Sequence, residues 1–281
     1  MITWYYNDYQ RWIDDDCKVN DIVTILNLYG CKLTKLSENI GNLINLQMLE
    51  CNNNKLIQLP ETLGNLINLQ YLYCSENKLT ELPKTVGNLI NLRKLYCYNN
   101  KLIKLPKTIG NLVNLQELSC YTNKLTKLPK TIGNLINLRK LYCYYNKLTK
   151  LPITIGNLIN LHKLYCNYNE LIELPISIMK LRHLEPILYD TNILLPLNLK
   201  RFIDRINNND VHNNTIQESL LDSINILLSE TTIKDINIIE DNILDNKTKS
   251  ILYNFIEDKT QSDLLINFEE LLVYILEKID N

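Results

Sequence analysis

One unit of 23 residues, repeated without a gap, dominates this chain. The first regular copy occupies 46–68 and reads LQMLECNNNKLIQLPETLGNLIN, and five more copies follow it up to residue 183. Each copy fits L-x-x-L-x-C-x-x-N-x-L-x-x-L-P-x-x-[LVI]-G-N-L-x-N, except that the last copy ends in IMKLRH. A single copy cannot bury its apolar side, so a fixed period of this length predicts a solenoid of stacked units.

The segment L-x-x-L-x-C has the period-two pattern of a short strand. Leu69, Leu72 and Cys74 then point into the interior, whereas Tyr71 and Tyr73 point outward. Stacking the copies side by side makes a parallel sheet.

Three other fixed positions have predicted structural roles. We expect the asparagine three residues after each cysteine, such as Asn100, to satisfy backbone groups left unpaired by a bend. A proline such as Pro106 suits the first turn of a short helical segment. A glycine such as Gly110 is expected to let the chain turn back.

The pattern L-x-x-L-x-C-x-x-N-x-L resembles the leucine-rich repeat family, and the L-P-x-x-[LVI]-G-N-L half resembles its intracellular, Ras-group-related subtype. The resemblance covers at most 23–206. It implies an α/β solenoid with a curved parallel β-sheet on its concave face and short helical turns on its convex face. It also implies a surface that binds other proteins.

The ends of the chain depart from the repeat. We interpret 1–22 as an amphipathic segment that covers the first repeat, with an aromatic-led peptide for a partner as the alternative. The leucine-rich repeat domain is assigned to 23–206, with 23–45 and 184–206 as divergent repeats. Residues 207–281 are assigned to an acidic helical extension of three to five helices, with a linker at 207–214.

The cysteines favour a reducing compartment. Six of the eight occupy the same inward position of successive repeats, where parallel side chains do not converge for disulfides or for a zinc site. The first residues carry acids and no apolar run, so we expect neither a secretion signal nor a membrane span. An abundance of Ile, Asn, Lys and Tyr is typical of AT-rich genomes, as in some protists and amoeba-infecting giant viruses. We therefore expect a cytoplasmic protein, in the host cytoplasm if it is viral.

Charge is distributed unevenly along the chain. The net charge is −3 for 1–22, +12 for 23–206 and −10 for 207–281. Part of the positive charge forms a flank stripe of lysines: Lys101, Lys104, Lys107, Lys124, Lys127, Lys130, Lys147 and Lys150. The stripe is either a solvated face or a docking site for an acidic partner or for the acidic tail of this chain.

The sequence gives no support for a catalytic function. His162, His183 and His212 have no nucleophile placed beside them by the repeat, and no P-loop, GxGxxG, HExxH or paired CxxC is present. We therefore expect no enzyme, no cofactor and no metal.

The candidate site is the set of outward positions beside the inward leucines. Tyrosine supplies rigid contact area with a polar tip, and 11 of the 17 tyrosines lie at these positions. The alternative is that the rings only stack on one another and stabilise the sheet. The predicted partner-binding residues are Tyr71, Tyr73, Lys94, Tyr96, Tyr98, Glu117, Tyr121, Lys140, Tyr142, Tyr144, Tyr145, Lys163, Tyr165 and Tyr168.

The sequence therefore predicts a non-enzymatic, monomeric scaffold that binds a partner protein on a tyrosine-rich concave face. The alternative is nucleic-acid or polyanion binding, since lysines interleaved with tyrosines can neutralise phosphates and stack bases. An adaptor role in a ubiquitin ligase lacks a recognisable docking domain within 1–22.

Overall fold

The structure is a computed structural model, and it describes residues 1–190, 192–193 and 195–207. The helices predicted after Asn207 lie outside these residues.

Nine short strands form one open sheet, in which every neighbouring pair is parallel and follows chain order. The pairing advances by one repeat per strand, so that Tyr71 is opposite Lys94 and Lys94 is opposite Glu117. The predicted parallel sheet is confirmed. The strands are β1 (Thr3–Trp4), β2 (Ile25–Asn27), β3 (Met48–Glu50), β4 (Tyr71–Tyr73), β5 (Lys94–Tyr96), β6 (Glu117–Ser119), β7 (Lys140–Tyr142), β8 (Lys163–Tyr165) and β9 (Ile187–Leu188).

The predicted alternation of inward and outward side chains is also confirmed. Leu72 and Cys74 are fully buried, whereas Tyr71 and Tyr73 on either side of Leu72 are only partly buried. All six repeat cysteines are 0% exposed, and burial raises the pKa of the Cys120 thiol to about 12. They therefore act as small apolar side chains in one continuous core.

The asparagines join successive repeats as predicted. The Asn100 side-chain amide donates to the carbonyl oxygens of Cys97 (3.2 Å) and of Cys74 in the preceding repeat (3.0 Å). Its Oδ1 atom accepts the Leu79 N–H at 2.9 Å. Each such side chain thus satisfies backbone groups on two repeats, which fixes the distance between them.

Opposite the sheet, each repeat forms a 3-10 helix that begins just after the proline. The Pro106 carbonyl accepts the Ile109 N–H at 3.0 Å, so proline precedes the first turn instead of lying within it. These helices are Ile40–Asn42, Glu61–Asn65, Lys84–Asn88, Lys107–Asn111, Lys130–Asn134, Ile153–Asn157 and Ile176–Lys180.

The predicted role of the repeat glycines was wrong. Among the described residues, Gly30 is the glycine with a positive φ (67°), and the repeat glycines have ordinary backbone angles. Instead, a Cβ on Gly110 would lie 2.5 Å from the Thr131 carbonyl oxygen and 2.6 Å from its Cβ. Glycine is therefore required because neighbouring 3-10 helices approach too closely for any side chain.

A helix covers each end of the described repeats. Tyr9 and Trp12 of α1 (Tyr6–Asp14) are buried, and the Tyr9 hydroxyl accepts the Ser37 N–H at 2.7 Å. At the other end, α2 (Leu197–Asn207) buries Phe202 and Ile203. The Asn207 side chain exchanges two 3.0 Å hydrogen bonds with the Ile187 backbone in β9, so Asn207 ends a capping helix instead of starting a linker.

Candidate binding surface

The outward side chains on the sheet face form four rows, each with one residue per repeat. The first row is Met48, Tyr71, Lys94, Glu117, Lys140 and Lys163, and the second row is Glu50, Tyr73, Tyr96, Ser119, Tyr142 and Tyr165. The third row is Asn52, Ser75, Tyr98, Tyr121, Tyr144 and Asn167, and the fourth row is Asn53, Glu76, Asn99, Thr122, Tyr145 and Tyr168.

All the predicted site residues lie in these four rows, so the structure brings them together on one face. The strands position the first two rows, and the bend after each strand positions the other two. The fourth row has positive φ angles throughout, including 49° at Tyr145 and 52° at Tyr168. Such angles are unusual for bulky residues and direct both rings outward, where they are 50% and 57% exposed.

The tyrosine rings pack on one another along the rows. Tyr121 stacks between Tyr98 and Tyr144, with ring centroids 4.5 and 4.4 Å apart. Tyr145 stacks on Tyr168 at 4.2 Å. Each such pair contributes about 0.5–1.5 kcal/mol beyond the burial of area, so ring stacking stabilises the sheet whatever else the face does.

Glu117 organises the charges in the first row. Lys140 Nζ lies 2.8 Å from its Oε1 atom, Lys94 Nζ lies 3.5 Å from its Oε2 atom, and the Tyr96 hydroxyl donates to Oε2 at 2.5 Å. Burial raises the pKa of the Glu117 carboxyl, but the hydrogen bonds and the two lysines outweigh burial and hold that pKa below its ordinary value. The carboxylate therefore stays charged and holds two rows together.

The balance is the opposite at Glu50. Burial raises the pKa of its carboxyl, and a hydrogen bond from the Asn52 N–H only partly offsets this. The two ends of the face thus differ in charge, with Glu50 and Glu76 near the beginning and Lys94, Lys140 and Lys163 further along.

Sequence analysis did not single out Ser119, which interrupts the second row between Tyr96 and Tyr142. Its side chain lacks the ring that its neighbours carry, and it is 4% exposed. Aligning the repeats in the sequence is enough to show this interruption, because serine stands where the neighbouring copies have tyrosine.

A polar groove of about 820 Å³ runs beside the first row. Its lining residues directly precede the strands or end the repeats, and it contains no carboxylate. Arg93 and Arg139 therefore add positive charge next to Lys94 and Lys140. The groove is lined by Gln47, Asn68, Gln70, Asn91, Arg93, Asn114, Gln116, Asn137, Arg139 and Asn160.

Two protein families match the sequence of these repeats and identify the architecture. A family described as a leucine-rich repeat region matches residues 20–148, and one described as leucine-rich repeats in two copies matches residues 136–178. The chain belongs to the leucine-rich repeat family. Its fold is a leucine-rich repeat solenoid, an architecture that generally serves as a protein-interaction scaffold.

Solved leucine-rich repeat structures resemble the chain over about two thirds of its length. A leucine-rich repeat protein of Leptospira interrogans is 36% identical, with a TM-score of 0.50 over 62% of this chain and 50% of that one. The plant peptide hormone receptor RGFR1, in complex with RGF2, is 31% identical, with a TM-score of 0.53 over 62% of this chain and 29% of the receptor. An internalin, inlF of Listeria monocytogenes, is 24% identical and matches in fold, with a TM-score of 0.57 over 68% of this chain and 55% of that one.

The leucine-rich repeat chain thus spans about half or less of these structures. A comparison with curated proteins found no match. Within the described residues, no cluster of three or more His, Cys, Asp or Glu side chains could hold a metal ion. None of the helices described is both long and apolar enough to cross a membrane.

Proposed function

We propose that this leucine-rich repeat protein is a non-enzymatic scaffold that binds a partner protein on its sheet face. The observation that carries the proposal is the concentration of the predicted tyrosines in four rows of one surface. Stacking alone does not require the 50% and 57% exposure of Tyr145 and Tyr168, whose rings remain available to a partner. Rigid aromatic side chains of this kind are enriched where proteins bind one another.

The charges favour an acidic partner segment. In the first row, Glu117 is outnumbered by Lys94, Lys140 and Lys163, and Arg93 and Arg139 lie in the adjoining groove. A partner carrying carboxylates along this edge gains attraction and faster association, whereas a basic one is repelled.

The RGFR1 structure supports a peptide or protein ligand, since that leucine-rich repeat receptor is described in complex with RGF2. Because the match covers 29% of the receptor, the ligand of RGFR1 is not transferred to this chain. Only the class of ligand, a peptide or protein, is carried over to this proposal.

Nucleic-acid binding is the weaker alternative. Base stacking needs free ring faces, but both faces of Tyr121 are covered by its neighbours. A gel-shift with a single-stranded oligonucleotide at two salt concentrations tests it, and a salt-dependent shift at micromolar protein would favour this alternative.

We further propose a monomeric protein of the intracellular, Ras-group-related subtype that acts in the cytoplasm. The support is the L-P-x-x-[LVI]-G-N-L half of each repeat, together with six core positions filled by cysteine thiols. An origin in an AT-rich protist or giant virus remains part of this proposal.

The experiment selects ligands for the full chain from displayed protein fragments encoded by the source genome. Each selected fragment is then measured against Tyr142→Ala with Tyr165→Ala, and against Lys127→Ala with Lys150→Ala on the flank. The pair Tyr142 and Tyr165 is preferred to Tyr96 because the Tyr96 hydroxyl supports Glu117 and its loss would disturb the sheet.

We expect the tyrosine variant to weaken binding about tenfold or more and the flank variant to leave it within about twofold. Failure to enrich any fragment, or fragments that bind both variants equally well, would count against the sheet face.

A further inference from the structure

The polar groove beside the first row holds about 820 Å³ of open space, and successive repeats line it with the same two positions. One position directly precedes a strand, as Gln70 precedes β4 and Arg93 precedes β5. The other position is the asparagine that ends each repeat, such as Asn91. The groove is therefore a regular row of amides in which guanidinium groups replace some of the glutamines.

The groove asparagines are fixed in orientation by the preceding repeat. The side-chain amide of Asn91 donates to the Ile67 carbonyl oxygen at 2.9 Å, and that of Asn114 donates to the Ile90 carbonyl oxygen at 2.9 Å. Because the nitrogen atoms are engaged in this way, the Oδ1 atoms remain as acceptors for a ligand. This wall of the groove is formed in advance, so binding requires little ordering of it.

The side chains that precede the strands have unused hydrogen-bonding capacity. With the other described residues, the side-chain amides of Gln70 and Gln116 form no hydrogen bond. The guanidinium groups of Arg93 and Arg139 likewise form neither a hydrogen bond nor an ion pair within the described residues, and both arginines are exposed. A guanidinium group matches the geometry of a carboxylate, so each arginine is available to bind one.

The mixture of amides and guanidinium groups favours a peptide over a polyanion. Glutamine and asparagine side chains carry the donor and the acceptor of a peptide group, so they can hydrogen-bond the main chain of an extended segment. A nucleic acid or polyphosphate is instead matched by rows of cations. Arg93 and Arg139 are the charged residues of the groove lining, and the neutral Gln116 lies between them in the row.

Exposed aliphatic side chains next to the groove asparagines also favour a peptide. The residue that directly precedes the final asparagine is exposed in four successive repeats. These residues are Ile67, Ile90, Val113 and Ile136. Exposed apolar residues at one position of neighbouring repeats are typical of an interaction surface. A peptide has apolar side chains that can cover them, whereas a polyphosphate has none.

We propose that the polar groove binds an extended acidic peptide segment of the partner protein. Its carboxylates pair with Arg93 and Arg139, and its main chain hydrogen-bonds the amides of the groove. The proposal rests on the proposed function, and it assigns the acidic part of the partner to a site beside the tyrosine rows. Glu117 does not oppose such a ligand, because Lys94 and Lys140 compensate its charge.

The test on the ligand side uses random twelve-residue peptides, displayed and selected on the full chain. Selected peptides are expected to be rich in Asp or Glu, and one of them is synthesised for measurement. Replacing its acidic residues with Asn and Gln should weaken binding about tenfold or more at low salt, and the difference should be smaller at high salt.

On the protein side, the test replaces both groove arginines with the residue that the neighbouring repeats carry at the same position. Arg93→Gln with Arg139→Gln should weaken the acidic peptide about tenfold or more, and the melting temperature should stay unchanged. The matched control is Lys101→Gln with Lys147→Gln, which removes two charges from the flank stripe of the same two repeats. The control should bind within about twofold of the original chain.

A substitution that adds charge tests the same pairing in the opposite direction. Gln116→Arg places a third guanidinium group in the row between Arg93 and Arg139. It should strengthen binding of the acidic peptide about threefold or more at low salt. A gain of affinity cannot result from a folding defect, and unchanged or weaker binding would overturn the pairing of carboxylates with this row.

The outcomes separate this proposal from the proposed function. Loss of binding in Tyr142→Ala with Tyr165→Ala, combined with full binding by the arginine variant, would overturn the polar groove and leave the sheet face as the binding surface. Loss in the arginine variant alone would support the groove and count against the tyrosine rows. Selected peptides without acidic residues, or inorganic polyphosphate binding in place of any selected peptide, would overturn the acidic peptide as the occupant.

Discussion

Glu117 and Glu50 are the same residue type on the same sheet face, but their surroundings act on them in opposite directions. Glu117 accepts hydrogen bonds from Lys140 and Tyr96, so its charged form is favoured. Glu50 lacks such partners among the described side chains, and burial favours its neutral form. The role of a carboxylate on this face is therefore set by the residues one repeat away, which the sequence of a single repeat does not reveal.

The first prediction compares Glu117→Gln with Glu50→Gln by urea unfolding across pH. A lowered folded-state pKa means that Glu117 stabilises the protein above its ordinary pKa of about 4.5 and loses this effect as the pH falls below it. At pH 7, Glu117→Gln should therefore reduce the free energy of unfolding by about 1.5–3 kcal/mol, and the difference should shrink below about pH 4.

Glu50→Gln serves as the matched control with the opposite sign. A raised folded-state pKa means that the charged carboxylate of Glu50 costs stability at neutral pH, so the amide should leave the protein as stable as before or more stable. Equal effects of the two substitutions at pH 7 would show that the described charge network does not exist in solution.

Residue roles were predictable where one repeat contains both partners of an interaction. The asparagine role follows from a bend within the repeat, and inward cysteines follow from the alternation of the strand. The glycine role was wrong because Gly110 is constrained by Thr131 in the next repeat, and the approach of two 3-10 helices is a property of stacking.

At the scale of elements, neighbouring 3-10 helices contact one another directly, as neighbouring strands do. Thr131 Oγ1 donates to the Lys107 carbonyl of the preceding helix at 2.6 Å, and equivalent bonds recur along the stack. The absence of a side chain at Gly110 lets this contact form. The strand spacing and the helix spacing together hold the repeats in register, and with them the four rows of the sheet face.

The second prediction is that Gly110→Ala destabilises the protein by about 1–3 kcal/mol, because the new methyl group overlaps the Thr131 backbone. The neighbouring substitution Asn111→Ala, at an exposed position in the same 3-10 helix, should change stability by less than about 0.5 kcal/mol. Urea midpoints of both variants provide the measurement. A Gly110 variant as stable as the Asn111 variant would refute the close-approach explanation.

Helix α2 lies mostly within 184–206, which the sequence assigns to a divergent repeat. Leu199, Phe202, Ile203 and Ile206 have helical spacing, and they belong to the helix that covers this end of the described repeats. The repeat is a strong pattern, and a capping element is by definition a departure from it. The strands and the 3-10 helices, in contrast, were predictable in type and position because six copies repeat the same signal.

At the scale of the whole molecule, a solenoid is held together by contacts between neighbouring repeats only. Strand β2 is covered by β1 and α1 at one end, through the buried side chains of Tyr9 and Trp12. Loss of a cap should therefore loosen the nearest repeats first and leave distant ones protected.

The third prediction is that Trp12→Ala lowers hydrogen-exchange protection in β2 and β3 more than in β7 and β8. The buried indole packs on Tyr9 at 5.7 Å between centroids and donates to the Lys18 carbonyl at 2.8 Å, so its removal opens the cap. Hydrogen-exchange mass spectrometry measures all four strands in one experiment. Uniform loss of protection from β2 to β8 would contradict end-first opening and indicate one fully cooperative unit.

The most direct test of the binding face is a pair of charge reversals measured against one selected ligand fragment. Lys163→Glu alters the first row of the sheet face, and Lys127→Glu alters the flank stripe outside the four rows. The account predicts that Lys163→Glu weakens binding about tenfold at low salt and less at high salt, whereas Lys127→Glu stays within about twofold. Weakening by Lys127→Glu with no effect of Lys163→Glu would place the interaction on the flank and contradict the account.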